Sequence, residues 1–206
     1  MSVAAPSTKA DARMRILDAA AGLFRLHGLA GTSMDAIAAS ARMSKRTLYA
    51  CFPDKHAILA AVLDQFIGER YAAIELLCRG LSGDDAILLA MAQGLKDAAT
   101  DDDALAMNRL LIAEAESLPE LALAANRRGL EQAIALMREP FRNLGVDDSA
   151  GATRLLYDLV VLAPMHRRLV GADDLHLDVG RIVQIVLAAM RRPACASDFR
   201  GQGETG

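Results

Sequence analysis

The segment that most constrains the fold runs from Ser33 to Lys55 and reads SMDAIAASARMSKRTLYACFPDK. Its first half has apolar residues at spacings i, i+3, i+4 and i+7, which fall on one face of a helix: Met34, Ile37, Ala38 and Ala41. Ser33 and Ser44 each precede a short stretch of this kind, where a hydroxyl can accept hydrogen bonds from the free N–H groups of a helix start. The segment therefore predicts two short helices joined by a tight turn.

The second of these helices has a buried side and a polar side. Leu48 and Phe52 lie four residues apart and supply the buried side. Cations and hydroxyl groups are left to face outward: Lys45, Arg46, Thr47 and Tyr49. A short helix that presents such groups near its N-terminus suits the major groove of DNA, which predicts a helix-turn-helix.

The segment resembles the DNA-binding domain of the TetR family of bacterial transcription regulators. The resemblance begins upstream at Ile16 to Gly28 (ILDAAAGLFRLHG), continues through Gly31 to Met34, and ends at Phe52 to Lys55. It covers the first third of the chain and is specific in both residue type and spacing. The remainder resembles the family in architecture alone. The resemblance implies a homodimer that binds a palindromic operator in double-stranded DNA and responds to a small-molecule effector.

Chemistry and the resemblance together nominate eight DNA-contacting residues: Ser33, Arg42, Ser44, Lys45, Arg46, Thr47, Tyr49 and Lys55. Arginine and lysine can reach base edges, and hydroxyl groups can donate to phosphate oxygens. Lys55 adds a cation at the N-terminus of the following helix, where phosphates bind. The resemblance implies contact for all of them except Arg42 and Ser44. The alternative interpretation is a solvated polar face that only caps the helices.

Two positions depart from the usual pattern of that family. Arg42 stands at a turn position that often carries glycine, and a positive φ there would cost about 1 kcal/mol relative to glycine. Ala50 and Cys51 replace larger side chains that commonly contact the DNA backbone. Cys51 has two interpretations: a thiol sensor with a pKa lowered by Lys55 and the helix start, or a small residue packed beside Phe52.

Charge is distributed unevenly along the chain. Residues 1–55 carry eight Lys and Arg against four Asp, a net charge of +4, whereas residues 56–206 carry −7. A basic N-terminal part on an acidic body favours contact with a polyanion through one face. Combined with the helix-turn-helix, this asymmetry supports DNA binding.

Composition predicts an all-α protein. Hydrophobic residues make up 53% of the 206, aromatic residues only 4%, and Ala and Leu dominate. The longest apolar runs fall far short of the roughly 20 residues of a membrane span. The N-terminus has no apolar stretch of signal-peptide length, and three widely spaced cysteines suit a reducing compartment. We therefore expect a cytoplasmic protein without a membrane partner.

The pattern predicts a disordered arm (1–10), a three-helix DNA-binding domain (11–55), a helical ligand-binding and dimerisation domain (56–192) and a disordered tail (193–206). Gly28 is expected to end the first helix, and Asp54 to cap the fourth. The predicted helices are 11–28, the two short ones, 55–78, 85–99, 102–117, a helix from 118 to near 145, 148–169 and 175–192.

Two apolar stripes in the last helices are candidates for a dimer interface: Leu155, Leu156, Leu159 and Ala163, and Ile182, Ile185, Val186 and Ala189. Two such helices per chain can form a four-helix interface with a second copy. The alternative is that both stripes close the core of the chain itself. The DNA motif favours a homodimer, because two heads about 34–36 Å apart can read a palindrome.

A ligand cavity is expected among the middle helices. Pro140 and Pro164 fall inside helical stretches and remove backbone hydrogen bonds, so that kinked helices leave room between them. Candidate lining residues are Met107, Leu111, Met137, Tyr157 and Met165, with Glu114 or His166 as polar groups. Such a cavity suits a largely apolar molecule, although residues at this spacing can equally form ordinary core.

Enzymatic interpretations find little support in the sequence. The four histidines show no metal-binding spacing, and neither a glycine-rich phosphate loop nor a nucleophile elbow is present. We predict no catalytic residue, no metal site and no cofactor. The alternatives are a DNA-binding regulator without an effector (architectural or thiol-sensing) and, further off, a helical-bundle carrier or enzyme.

Overall fold

A computed structural model describes residues 9–172 and 178–191, so that most of the predicted arm and the whole predicted tail lie outside the described residues. Every regular element in these ranges is helical, as predicted. The elements are α1 (Lys9–His27), α2 (Met34–Ser40), α3 (Lys45–Cys51), α4 (Lys55–Cys78), α5 (Asp84–Thr100), α6 (Asp102–Glu114), α7 (Pro119–Asn143), α8 (Ser149–Tyr157), a π turn (Asp158–Leu162), α9 (Ala163–Leu169) and α10 (Val179–Met190).

The predicted capping residues act as expected. The Asp54 carboxylate accepts a hydrogen bond of 2.8 Å from the Ala57 amide at the start of α4. Gly28 follows the last residue of α1 with φ of +68°, and its amide bonds to the Phe24 carbonyl. A left-handed residue at this position is a usual way to end a helix, and glycine adopts it without steric cost.

Several helix boundaries differ from the prediction. The first helix begins at Lys9 rather than residue 11, and α6 ends at Glu114, three residues early. The single helix predicted over 148–169 is divided by the π turn, which stands directly before Pro164. Proline has no N–H, and its ring crowds the carbonyl of the preceding turn, so a locally widened turn there accommodates it.

The N-terminal core cluster joins α1, α2, α3, the first half of α4 and α6. Its largest fully buried side chains include Ile16, Phe24, Ile37 and Leu48. Met107 and Leu110 of α6 belong to the same cluster. We call the part of the chain built around this cluster the head. The domain boundary predicted at residue 55 falls inside its apolar core, because α4 and α6 contribute buried residues to it.

The second core cluster holds the rest of the chain together. It contains the second half of α4 and buried residues of α5, α7, α8, the π turn and α10. Phe141 and Leu156 are among its fully buried side chains. Residues of α4 belong to both clusters, so this helix connects the helix-turn-helix to the rest of the chain.

Candidate nucleic-acid interface and internal cavity

Two serines cap the starts of α2 and α3, and one left-handed residue lies in the turn between these helices. Ser33 accepts a 3.1 Å hydrogen bond from the Ala36 amide, and Ser44 accepts one of 3.1 Å from the Thr47 amide. Arg42 has φ of +54°, the one positive value at a non-glycine residue in the described ranges. The strained turn predicted at Arg42 is thereby confirmed.

One face of α3 is buried and the opposite face is open. Leu48 is completely buried in the N-terminal core cluster, while the Tyr49 side chain is 53% exposed. Exposed polar residues share the outer face with it: Lys45, Arg46 and Thr47. The sequence therefore predicted correctly which side of this helix is available to a partner.

Lys45 is exposed but paired in the structure. Its ammonium group donates a 2.6 Å hydrogen bond to the Asp35 carboxylate of α2, and both side chains are more than 60% exposed. The hydrogen bond to Asp35 and the charge of Asp35 raise the pKa of Lys45 above its ordinary value. Asp35 and Lys45 each lie in the first turn of a short helix of the helix-turn-helix, and this placement could have predicted the ion pair.

Lys55 lies at the start of α4, as predicted, and its side chain has partners within the protein. It is half-buried, and its ammonium group donates to the Leu29 carbonyl at 2.8 Å and the Thr32 carbonyl at 3.3 Å. The carbonyl groups of the α1–α2 loop thus hold this cation, so it does not point freely toward a phosphate. These two hydrogen bonds connect the α1–α2 loop to the start of α4.

Two arginines of α1 were missed by the sequence analysis. Arg15 donates a 2.6 Å hydrogen bond to the Ala41 carbonyl at the end of α2. The Arg13 guanidinium lies 4.5 Å from the centroid of the Phe52 ring. Both are exposed positions of α1 around the buried Ile16, which the amphipathic pattern of this helix could have indicated. Both arginines add positive charge beside the helix-turn-helix.

Cys51 ends α3 and is half-buried against the N-terminal core cluster. Its neighbours in that cluster are apolar, and Phe52 beside it is buried. This environment agrees with the interpretation of Cys51 as a small packing residue. The thiol-sensor interpretation has no supporting contact among the described residues.

Comparison with known proteins adds independent evidence for the head. Residues 16–62 match the model of the family described as bacterial regulatory proteins, tetR family. This part of the chain is therefore similar to the N-terminal domain of that family. The matched range runs from the buried face of α1 through α2 and α3 into the first half of α4, which is the part that forms most of the N-terminal core cluster.

A curated relative is similar to a part of the chain. Over 53 residues the chain is 42% identical to the HTH-type transcriptional repressor SCO4008 of Streptomyces coelicolor, a match that spans 26% of this chain and 28% of that protein. The chain therefore matches less than a third of the length of this relative.

Solved structures extend the likeness to the whole fold. A tetR-family protein of Mesorhizobium loti superposes with a TM-score of 0.69 at 25% identity, covering 88% of this chain and 96% of that one. The regulator FadR of Bacillus subtilis, solved with stearoyl-CoA, has a TM-score of 0.59 at 16% identity, covering 86% and 96%. The fold of this chain is therefore that of solved tetR-family regulators.

Residues of α4 through α9, including the π turn, line a partly open cavity of about 330 Å³. Four of the predicted residues line it: Met107, Leu111, Tyr157 and Met165. Three do not. Met137 is fully buried in the second core cluster, and His166 is exposed on α9. Glu114 follows the spacing of Met107 and Leu111 on α6 but does not line the cavity.

The polar groups of the cavity differ from those predicted. Arg70, Tyr71, Asn108, Asn126 and Tyr157 line it. The Tyr71 hydroxyl donates a 2.6 Å hydrogen bond to the Gly129 carbonyl of α7. An isolated glycine inside an otherwise helical pattern often marks a close approach, and Gly129 was the sequence signal for these tyrosines.

The two predicted dimer stripes divide between core and surface. Leu156 and Val186 are completely buried in the second core cluster, because they face the chain's own helices, so they belong to no exposed face. The stripe residues that remain accessible are Leu155, Leu159, Ala163, Ile182, Ile185 and Ala189. They lie on α8, the π turn, α9 and α10; α10 packs beside α8 and the π turn.

No helix in the two described ranges combines the length and apolar character needed to cross a bilayer. Within the same ranges, no group of His, Cys, Asp and Glu side chains is arranged to hold a metal ion.

Proposed function

We propose that the protein is a transcriptional repressor that binds a palindromic operator as a homodimer and is released by a small, largely apolar ligand. The DNA-binding part is supported chiefly by the outer face of α3, whose opposite face packs in the N-terminal core cluster. Four side chains are exposed on this outer face: Lys45, Arg46, Thr47 and Tyr49. Helix N-termini with such side chains place donors at base edges and phosphates. This role belongs in the cytoplasm, where the DNA is.

The homodimer part is supported by the accessible apolar side chains of α8, the π turn, α9 and α10. Leu155, Leu159 and Ile185 are each more than a third exposed, although all three are large and apolar. Packing them against the same face of a second copy would form a symmetric interface of four helices. One short recognition helix binds weakly, and two in fixed register bind a palindrome.

The ligand-release part is supported by the overlap between cavity and head. Met107 lines the cavity and also packs in the N-terminal core cluster. Helix α4 also lines the cavity, and it begins directly after the helix-turn-helix. The Arg25 guanidinium of α1 pairs with the Asp103 carboxylate at the start of α6. A ligand that binds better to one arrangement of α4 and α6 would change the distance between the two heads of the dimer, so that they no longer match the spacing of the operator half-sites.

An electrophoretic shift with the DNA that flanks the protein's own gene tests DNA binding. We expect a shift whose affinity falls steeply with salt, because lysine and arginine release counterions from phosphates. Arg46→Ala should weaken the shift at least tenfold, whereas Arg127→Ala, an exposed arginine of α7, should leave it unchanged. Equal loss in both variants, or a salt-independent shift, would contradict the assignment of α3.

A further inference from the structure

Arg70 of α4 is the one formally charged residue among the described residues that line the cavity. The remainder of that lining is uncharged and consists mainly of Leu, Ile, Met, Ala and Phe. A buried ion costs free energy unless a group of opposite charge receives it. Because the described lining contains no carboxylate, a cationic ligand would find no partner in it. The charge of the lining therefore favours an anion over a cation.

The guanidinium group of Arg70 has hydrogen-bonding capacity left for a ligand. Arginine carries five N–H donors in a planar fork. The Nε of Arg70 donates to the Ala98 carbonyl at 3.1 Å, and its Nη2 donates to both carboxylate oxygens of Asp101 at 2.6 Å. Its Nη1 has no acceptor among the described residues, which leaves two N–H groups uncommitted. A ligand carboxylate only accepts hydrogen bonds and matches such donors.

The surroundings of Arg70 suit the charged end of an otherwise apolar molecule. Its side chain is 23% exposed and that of Asp101 is 47% exposed, so the cavity wall is partly open to solvent here. Ile74, Leu95 and Met107 line the cavity too, and all three are buried. An anionic group at Arg70 would keep part of its hydration, while an alkyl chain would fill the apolar part of the cavity.

Asp101 links Arg70 to the helix that enters the core of the head. The Asp101 carboxylate also accepts a 2.7 Å hydrogen bond from the Ala104 amide and thereby caps α6. Two residues later, Asp103 pairs with Arg25 of α1. A second anion on Arg70 would compete with Asp101 and weaken the contact between α4 and the start of α6. The charged end of the ligand would then act where these two helices meet.

We infer that the cavity selects an apolar molecule that carries an anionic group, and that Arg70 binds this group in competition with Asp101. The inference rests on the ligand cavity of the proposed function and deepens it by naming the ligand class and the residue that selects it. Since like charges repel and opposite charges attract, removing the charge of Asp101 should strengthen binding of the anion, and removing that of Arg70 should weaken it.

Displacement of Nile red, a neutral dye, from the full-length protein tests this with three probes that share an eight-carbon chain: octanoate, 1-octanol and octyltrimethylammonium. Octanoate should displace the dye from the wild type at concentrations about fivefold lower than octyltrimethylammonium. The ratio of octanoate affinity to octanol affinity should fall about fivefold in Arg70→Gln and rise about threefold in Asp101→Asn. Asparagine caps a helix about as well as aspartate, so Asp101→Asn keeps α6 capped.

Asp102→Asn is the matched control. Asp102 is the next residue along α6, its side chain is fully exposed, and it pairs with Arg168 rather than with Arg70. The substitution changes the net charge of the protein by the same amount as Asp101→Asn. Solvent screens a charge at this position, so the ratio of octanoate affinity to octanol affinity should stay within about twofold of the wild type.

Two results would overturn the inference: tighter binding of octyltrimethylammonium than of octanoate, or the same octanoate-to-octanol ratio in the wild type and Asp101→Asn. The second comparison decides by itself if Arg70→Gln does not fold. An equal rise of the ratio in Asp102→Asn would also contradict a specific contact with Arg70. A protein that binds neither the dye nor octanoate has no such ligand site, and the inference fails.

The operator shift, measured on the same samples with and without octanoate, separates this inference from the proposed function. If octanoate binds through Arg70 but never releases DNA, the ligand-class inference stands and ligand-released repression fails. If octanoate releases DNA from the wild type and from Arg70→Gln at equal concentrations, repression is ligand-released and the role of Arg70 is wrong.

Discussion

The Lys45 ammonium group at the start of α3 and the Asp35 carboxylate in the first turn of α2 are 2.6 Å apart. The pair joins the two helices of the helix-turn-helix across its open face. In the free protein Lys45 therefore has a carboxylate partner, which a DNA phosphate or base must replace or share. Asp35 competes with DNA for this cation.

Asp35→Asn should strengthen DNA binding about three- to tenfold at low salt, because it removes a negative charge from the interface and releases Lys45. Fluorescence anisotropy with a labelled operator fragment measures this. Asp18→Asn makes the same charge change on an exposed position of α1 and is the control. Weaker binding by Asp35→Asn would mean that the carboxylate positions Lys45 for DNA.

Arg42→Gly should separate stability from DNA affinity. Glycine relieves the positive φ, and we expect the free energy of unfolding to rise by about 1 kcal/mol. DNA affinity should fall, because a cation at the turn is lost. Arg42→Ala is the matched variant, which loses the charge but keeps the strain, and it should show the affinity loss alone. Chemical denaturation and anisotropy on both proteins distinguish these effects.

Lys55→Met should destabilise the head by about 1–2 kcal/mol, because the Leu29 and Thr32 carbonyls lose a charged donor. Lys45→Met removes an exposed cation of the same domain whose ion pair with Asp35 is open to solvent, so its melting temperature should stay near that of the wild type. If Lys55→Met unfolds at the wild-type temperature but loses a unit of salt dependence in DNA binding, Lys55 is a phosphate contact.

Gly129→Ala should place a β-carbon 2.8 Å from the Tyr157 hydroxyl oxygen. We expect a loss of about 1–2 kcal/mol in the free energy of unfolding, after the usual helix-propensity gain of alanine. Adding Tyr157→Phe removes that oxygen and should restore stability, since the next ring atom is 3.9 Å away. Gly22→Ala, where nothing lies within 4 Å, should stabilise the protein. No rescue in the double variant would contradict the close contact.

Leu159→Glu combined with Ile185→Glu should convert the proposed dimer to a monomer, because two charges per copy would be buried at a symmetric apolar interface. Analytical ultracentrifugation measures the mass, and the operator shift should weaken in parallel. Leu123→Glu, an equally exposed leucine on α7, is the control. A monomeric wild type would rule out this interface.

Local patterns in the sequence were enough to predict the head. The serine caps, the Leu48–Phe52 spacing and the glycine after α1 are each a short-range rule, and the structure realises all of them. The partners of the Lys55 side chain were not predicted, because they are carbonyl groups more than twenty residues away. Propensity and spacing carry no information about such a contact.

The cavity was predictable only in part for the same reason. Met107, Leu111, Tyr157 and Met165 follow from helical spacing, which shows that residues share a face. Spacing does not show which face meets the cavity, and so Met137 and His166 were placed wrongly. Arg70 remained hidden because its role depends on Asp101, which belongs to another helix.

The participation of Met107 and Leu110 in the head's core bears on engineering. A fragment cut after α4 would leave an apolar groove open where α6 should lie, and we expect it to aggregate. A chimeric regulator that joins this head to another ligand-binding domain must therefore include α6, or have the apolar surface that α6 covers redesigned.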